Sequence, residues 1–325
     1  MKDIVTVGEI LIDLTNSGRK DGIPLYTANP GGAPANVAVA AARLGAETAF
    51  IGKVGRDYFG DFLRNTLKEN GVDVSGMLTD DEARTTMAVV SLSETGERSF
   101  SFYRRNCADV LLRSDEISLE MLSDTHILHF GSVSLTAEPS RSATVFAAEK
   151  AKEYGATITY DPNYRANLWK SEEEAVAQMK SVLDKVDILK ISDEELPLLT
   201  GTDDCEAGTS LLCEKYGIPL ILLTLGADGA YYRRGKETGK ADGFKVKVAD
   251  TNGAGDTFFG AFLSRMKALG IYNPAELSPE QLFESIRTAN LAASLTTSRH
   301  GAIPAMPDLK ELTEILQGGK LYDQN

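Results

Sequence analysis

Residues 248–266 read VADTNGAGDTFFGAFLSRM. Gly253, Ala254 and Gly255 stand directly before Asp256, and an amphipathic pattern follows over 257–269. A glycine-rich loop that opens a helix presents backbone N–H groups with no carbonyl one turn back to accept them. Together with the helix dipole they form an anion site. Asp256 reads in two ways there. It can simply complement the dipole, worth ~0.3–1 kcal/mol. Or it can take a proton from an alcohol while the N–H groups hold the charge of a transferring phosphoryl group. Near pH 4 an exposed carboxylate is a weak base. The segment is not a Walker loop, for no Gly-Lys-Ser/Thr is present. Nor is it a dinucleotide fingerprint, because Phe258 stands where a third glycine belongs.

A second segment, residues 29–55, reads NPGGAPANVAVAAARLGAETAFIGKVG. Gly31 and Gly32 make a flexible turn, and Asn36 opens an alanine-rich helix. Asn36 is either a helix cap or an amide for ligand hydroxyl groups. Three histidines, His126, His129 and His300, are too few and too strand-like in placement to suggest a metal site or a Ser-His-Asp triad. Cys107, Cys205 and Cys213 match no disulfide framework or zinc spacing and read as free thiols of a cytoplasmic protein.

The elements that must position these residues alternate between strand and helix. Strands are expected over 4–10, 48–54, 126–131, 157–161, 188–191 and 220–225, with a strand-like stretch ending near Asp250. Helices are expected over 36–44, 57–70, 138–154, 172–186, 203–216, 257–269 and 279–297. Strands apolar on both faces imply a doubly wound, mainly parallel sheet in a three-layer α/β/α arrangement. Two stretches break the rhythm. Residues 11–30 hold an extended piece at 23–27, and 85–107 hold two alternating strands, 86–92 and 98–103, around a turn at 94–96. These antiparallel pieces are expected to form one small β lid, leaving 1–10, 31–84 and 108–325 as the α/β core. The chain carries 34 Lys+Arg against 47 Asp+Glu, a net charge of −13, which argues against nucleic acid as a partner. No apolar run approaches the ~20 residues of a membrane-spanning helix, and the N-terminus reads as a first strand rather than a signal peptide.

Taken together, the two glycine segments resemble the paired signatures of the ribokinase-like (PfkB) carbohydrate kinases: Gly-Gly-x-Pro-x-Asn-x-Ala with Gly45 and Gly55, and Asp250-Thr-x-Gly-Ala-Gly-Asp256 with Gly260. GEILIDL (8–14), FIGKVGRDYFG (50–60), DPNYR (161–165), KISDEE (190–195), LLTLGADGAYY (222–232) and RHGAIPAMP (299–307) extend the resemblance over nearly the whole chain. FSFYRRNCADVLL (100–112) is most similar to the fructokinase branch; 2-keto-3-deoxygluconate kinases are the nearest rival. A catalytically silent sugar sensor would lack Asp256 or the glycines, and both are present.

The resemblance implies roles residue by residue. Asp256 is the base, with Gly253, Ala254 and Gly255 as the anion hole and Arg165 as a clamp. Asp13, Gly31, Gly32, Asn36 and Arg104 contact the sugar; Arg104 is the extra cation that a carboxylate substrate would need. ATP meets Lys190, Ser192, Thr224, Gly226, Gly229 and Asn290. Glu195 organises Mg²⁺ through water, with Ser192 standing where the family has Asn. Asp250, Asn252, Arg299, Gly301 and Ala305 surround a K⁺ ion, mostly through the backbone. A homodimer through the lid is expected. Since the substrate is itself anionic and the chain carries −13, attraction has to be local.

Overall fold

The computed structural model describes residues 1–92 and 98–318. In chain order the strands are β1 (Lys2–Val7), β2 (Leu11–Lys20), β3 (Ile23–Gly31), β4 (Thr48–Gly55), β5 (Met77–Asp80), β6 (Met87–Leu92), β7 (Arg98–Tyr103), β8 (Thr125–Gly131), β9 (Thr157–Asp161), β10 (Ile188–Ser192), β11 (Leu220–Thr224), β12 (Ala230–Arg234) and β13 (Glu237–Ala241). Nine of them form one sheet, ordered β13-β12-β11-β10-β9-β8-β1-β4-β5. From β11 to β5 every pairing is parallel; β12 and β13 add an antiparallel edge. Burial on both faces explains the apolar runs. Val5, Leu128, Ile158, Leu189 and Ile221 pack into one helix layer. Ile4, Ile127, Ile188, Leu220 and Leu222 pack into the other, with Phe258, Phe259 and Phe262.

Chain direction reverses beside β1. The chain goes from β1 out to β4 and β5, then returns to β8 on β1's other side. Ligands of doubly wound sheets bind outside the strand carboxyl ends at such a switch point. Residues Glu9, Ser132, Pro162 and Asp193 leave the sheet at this end.

The second sheet, β3-β2-β6-β7, is the expected small lid. Its two insertions join through β2 and β6, which run parallel, with Ile12 opposite Met87 and Thr15 opposite Val90. An extended piece at 23–27 and the strand pair 86–92 and 98–103 were expected; residues 11–31 instead form a hairpin of their own, and the seam between the two antiparallel hairpins is parallel. The turn expected at 94–96 lies outside the described residues.

Other elements depart from expectation for local reasons. The strand-like stretch expected to end near Asp250 is not a strand; β13, the last strand, ends at Ala241. β13 is the sheet edge, and Gly243 packs so closely on Ala227 and Gly229 that the chain turns away. Beyond it no strand lies alongside among the described residues, and the N–H groups of Ala249 and Asp250 donate to the Thr297 carbonyl. The first strand ends at Val7 rather than Ile10, and the helix expected over 172–186 ends at Lys180, followed by a short 3₁₀ turn at Leu183–Lys185.

Candidate active site

The helix Ala254–Ala268 starts three residues earlier than its amphipathic pattern indicates. Gly253 caps it at φ 74°, a left-handed conformation that side chains disfavour. Its first intrahelical bond runs from Thr257 N–H to the Gly253 carbonyl. The N–H groups of Gly255 and Asp256 precede that bond and point out of the helix end. They open beside Lys190, since a Cβ on Gly255 would lie 2.9 Å from Nζ.

Asp256 is buried, 8% exposed, where an exposed carboxylate was expected. Burial raises its pKa, opposed by a hydrogen bond from Asn36 and by the charges of Lys190 and Arg165. The carboxylate is thus a stronger base than a solvated aspartate. Asn36 does not cap its helix. That helix, Ala33–Arg43, begins after Gly32, with Pro34 in its first turn. Asn36 sits one turn in, and its Nδ2 donates to Asp256 Oδ2 at 2.7 Å. Its Oδ1 is buried with no hydrogen-bond partner.

Asn36 and Asp256 line an open cavity of about 50 Å³ between the two sheets. Glu9, Leu11, Asp13, Gly32, Ala33, Asn36, Phe102, Val133, Asn163, Arg165, Asn252 and Asp256 form its walls. Leu11, Asp13 and Phe102 come from the lid, the rest from the core. Gly31 backs Asp13 so closely that a Cβ would collide with the carboxylate. A second cavity, about 220 Å³, is lined by Asn163, Tyr164, Arg165, Lys190, Ser192, Glu194, Glu195 and Leu198. Asn163 and Arg165 belong to both, so the DPNYR loop is the partition between them.

Two buried carboxylates hold that partition. Asp161 Oδ1 accepts from Asn163 N–H at 3.2 Å, and Oδ2 from Lys190 Nζ at 2.9 Å. Glu195 Oε1 accepts from Tyr164 N–H at 2.7 Å, and Oε2 from Ser192 N–H at 2.9 Å. Burial would lower the Lys190 pKa, yet the net shift is upward, because Asp161, Glu195 and Asp256 surround the ammonium. Lys190 is therefore a fixed positive charge at the anion hole. Oε2 also accepts from Ser192 Oγ at 3.2 Å, which leaves Oε1 the Glu195 oxygen with a lone pair to spare. The donor set suits a magnesium nucleotide: Glu195 Oε1 can take a metal-bound water, and Lys190 and Arg165 face the same cavity. Among the described residues no group of three or more His, Cys, Asp or Glu could hold a metal by itself.

Other expected site residues have different surroundings. Arg104 is buried, with Nε on Asp109 at 2.6 Å, one terminal nitrogen on Thr136 Oγ1 at 2.6 Å and the other on the Val133 carbonyl at 3.1 Å. It does not line the cavity between the two sheets. Thr224 ends β11, Gly226 and Gly229 bracket the turn after it, and none of the three lines either cavity. Asn290 Nδ2 donates to the carbonyls of Ala241 and Asp242, tying its helix to the end of β13. Asp250 accepts from Asn252 N–H at 2.7 Å and from Gly301 N–H at 3.1 Å, joining the two loops expected around a monovalent cation. Arg299 pairs with Glu311 and reaches the Ala305 carbonyl. His126 stacks on Tyr272 and His129 is buried against Thr159 and Phe259, both away from the cavities. The three cysteines are free.

Sequence reasoning missed Glu9, Asn163, Phe102 and Asp161. Glu9 carried a signal, as the one charge between Ile4 and Ile12. Asn163 carried another, since Asp-Pro-Asn favours a turn, and its φ is 47°. Val133 and Phe102 are ordinary apolar residues whose place in a wall depends on packing alone.

The model of the pfkB family carbohydrate kinases matches residues 1–309. The chain is 46% identical to Probable fructokinase-4 of Arabidopsis thaliana over 319 residues, covering 97% of each. A fructokinase from Xylella fastidiosa solved with bound ATP superposes with a TM-score of 0.90 at 35% identity, covering 98% of this chain and 99% of that one. A fructokinase from Vibrio cholerae O395 in its fructose, ADP and calcium ion bound form gives 0.88 at 36% identity, covering 97% and 99%.

Proposed function

The chain belongs to the pfkB family of carbohydrate kinases, and from that premise we propose that it is an ATP-dependent fructokinase, moving the γ-phosphoryl group of MgATP to the 6-hydroxyl of D-fructose. Sugar occupies the cavity under the lid; the nucleotide phosphates and Mg²⁺ occupy the cavity at Lys190 and Glu195. Asp256 takes the hydroxyl proton, the hydroxyl oxygen bonds to phosphorus, and the bond to the ADP oxygen breaks. The N–H groups of Gly255 and Asp256, with Arg165 at the partition, hold the charge in transit. The loops joined by Asp250 support a K⁺ ion beside this helix end. The lid excludes water, which would otherwise compete as acceptor.

The observation that favours fructose over an acid sugar is the charge inventory of the cavity. Its described walls carry two carboxylates, Asp13 and Asp256, against one guanidinium, Arg165. Arg104, the cation that 2-keto-3-deoxygluconate would call on, is committed to Asp109, Thr136 and Val133. A carboxylate substrate would meet like charge in a low-dielectric space. A coupled ADP-release assay over fructose, 2-keto-3-deoxygluconate, ribose, adenosine and fructose 1-phosphate should give fructose the highest kcat/KM. A higher value for the acid sugar overturns the assignment.

The free thiols support a cytoplasmic setting. On the lid, β3 is a sheet edge that exposes Ile23, Leu25 and Tyr26. Such an edge supports a homodimer in which two lids cover one another. Multi-angle light scattering should return twice the 35.1 kDa chain mass, and a monomer would contradict the arrangement.

A further inference from the structure

We propose that Glu9 is a binding residue of the sugar site: its Oε2 donates a hydrogen bond to a sugar oxygen, acting as a neutral carboxylic acid. The inference rests on the sugar-kinase reading of this cavity. It starts from an accounting of donors and acceptors. A bound sugar hydroxyl both gives and accepts hydrogen bonds. Asp13 and Asp256 are acceptors, and Asn36 Nδ2 is already spent on Asp256. Donors are scarce among the described walls: Arg165 and the amides of Asn163 and Asn252.

Glu9 follows β1, lines the cavity and is only 3% exposed. One oxygen has a fixed task. Oε1 accepts the Ala33 N–H at 2.9 Å, satisfying the start of the helix Ala33–Arg43. The other oxygen, Oε2, is buried with no partner. A buried ionised oxygen without a donor is costly; a protonated one needs only an acceptor. Burial raises the Glu9 pKa to about 7, opposed by its own N–H, Arg104 and the Ala33 N–H, with Asp109 pushing it further up. Arg104 cannot neutralise Glu9 fully because its guanidinium is shared with Asp109. Asp13, Asp256 and Arg165 are the other charged groups facing the cavity.

The sign of the pH effect follows. The neutral donor is present below about pH 7 and is lost as pH rises through that value. At saturating MgATP, KM for fructose should rise about thirtyfold between roughly pH 6 and pH 8.5, the ratio expected when only the protonated form binds. KM for MgATP should not follow it. Glu9→Gln keeps an acceptor for Ala33 and an uncharged donor for the sugar, so its KM for fructose should vary less than about threefold over the same range. Glu9→Ala should raise KM for fructose by about tenfold at pH 6 and lose the alkaline rise, and Glu9→Gln should recover most of that increase. A role confined to capping the helix would lower the Tm of Glu9→Ala and leave the pH profile of KM unchanged. A flat wild-type profile, or an alkaline rise that persists in Glu9→Gln, overturns the proposal. Absence of fructose turnover by the wild-type enzyme overturns the fructose assignment instead. The profile is then measured with the sugar that is turned over, and a flat result still excludes the role of Glu9.

Discussion

Asp256→Asn should lower kcat by about 10²- to 10⁴-fold, the usual worth of a positioned general base, and leave KM for fructose within a few-fold. The substitution isolates basicity. Asparagine keeps an oxygen for Asn36 Nδ2, so the 2.7 Å contact that orients residue 256 survives. The glycine loop and its N–H groups are unchanged, so the residual rate reports electrostatic stabilisation without a base. The pH dependence supplies an internal control. Burial raises the Asp256 pKa, so in the wild type kcat/KM should fall toward acid pH as the carboxylate is protonated, beginning above the ordinary aspartate range. In Asp256→Asn that acid limb should vanish. A variant within threefold of wild-type kcat would mean that proton removal does not limit the reaction and that Asp256 only caps its helix.

Asp161→Ala should be the most destabilising single change at the site, about 3–5 kcal/mol, because it strands a buried ammonium. Lys190 is 6% exposed and Asp161 1%, and they meet at 2.9 Å. Asp161 also holds Asn163 N–H, so its loss frees the DPNYR partition as well. The decisive measurement is a urea unfolding series on Asp161→Ala, Lys190→Met and the double variant Asp161→Asn with Lys190→Met. The double variant should regain more than half of the lost stability, since both charges are gone, yet remain a poor kinase, since the cation beside Gly255 is gone too. If Asp161→Ala costs less than about 1 kcal/mol, Lys190 has found another partner and the pair is not what sets the partition.

What the sequence disclosed, it disclosed through spacing. The alternation of apolar strands with glycine-stopped helices carried the parallel sheet, and one hairpin pattern with one extended piece carried the lid. Asp256, Gly253 and Gly255 could be assigned because a loop-to-helix junction is a local object. Three kinds of fact were not local. The burial of Asp256 depends on a helix 220 residues earlier in the chain. The parallel seam between β2 and β6 depends on two insertions meeting, which neither encodes alone. The remaining contacts of Arg104, to Thr136 and Val133, depend on a 3₁₀ turn after β8, although its charge partner Asp109 stands only five residues on. Glu9 shows the converse. Its type and place in an apolar run were visible, but a lone glutamate has no meaning until its unpartnered oxygen is seen.

The hydrogen bond from Asn36 to Asp256 also orders events in time. One partner emerges from the ribosome 220 residues before the other, and contacts of such separation are slow to form. The helices bearing them are knitted together by equally distant contacts, Gly260 against Ala40 and Ser264 Oγ on the Leu44 carbonyl at 2.7 Å. A nascent or truncated chain can therefore possess β1, the lid and half the sugar pocket, and still have neither the base nor the anion hole. Lacking these, it cannot spend ATP on water. The enzyme becomes competent all at once, when the helix Ala254–Ala268 docks onto the helix Ala33–Arg43.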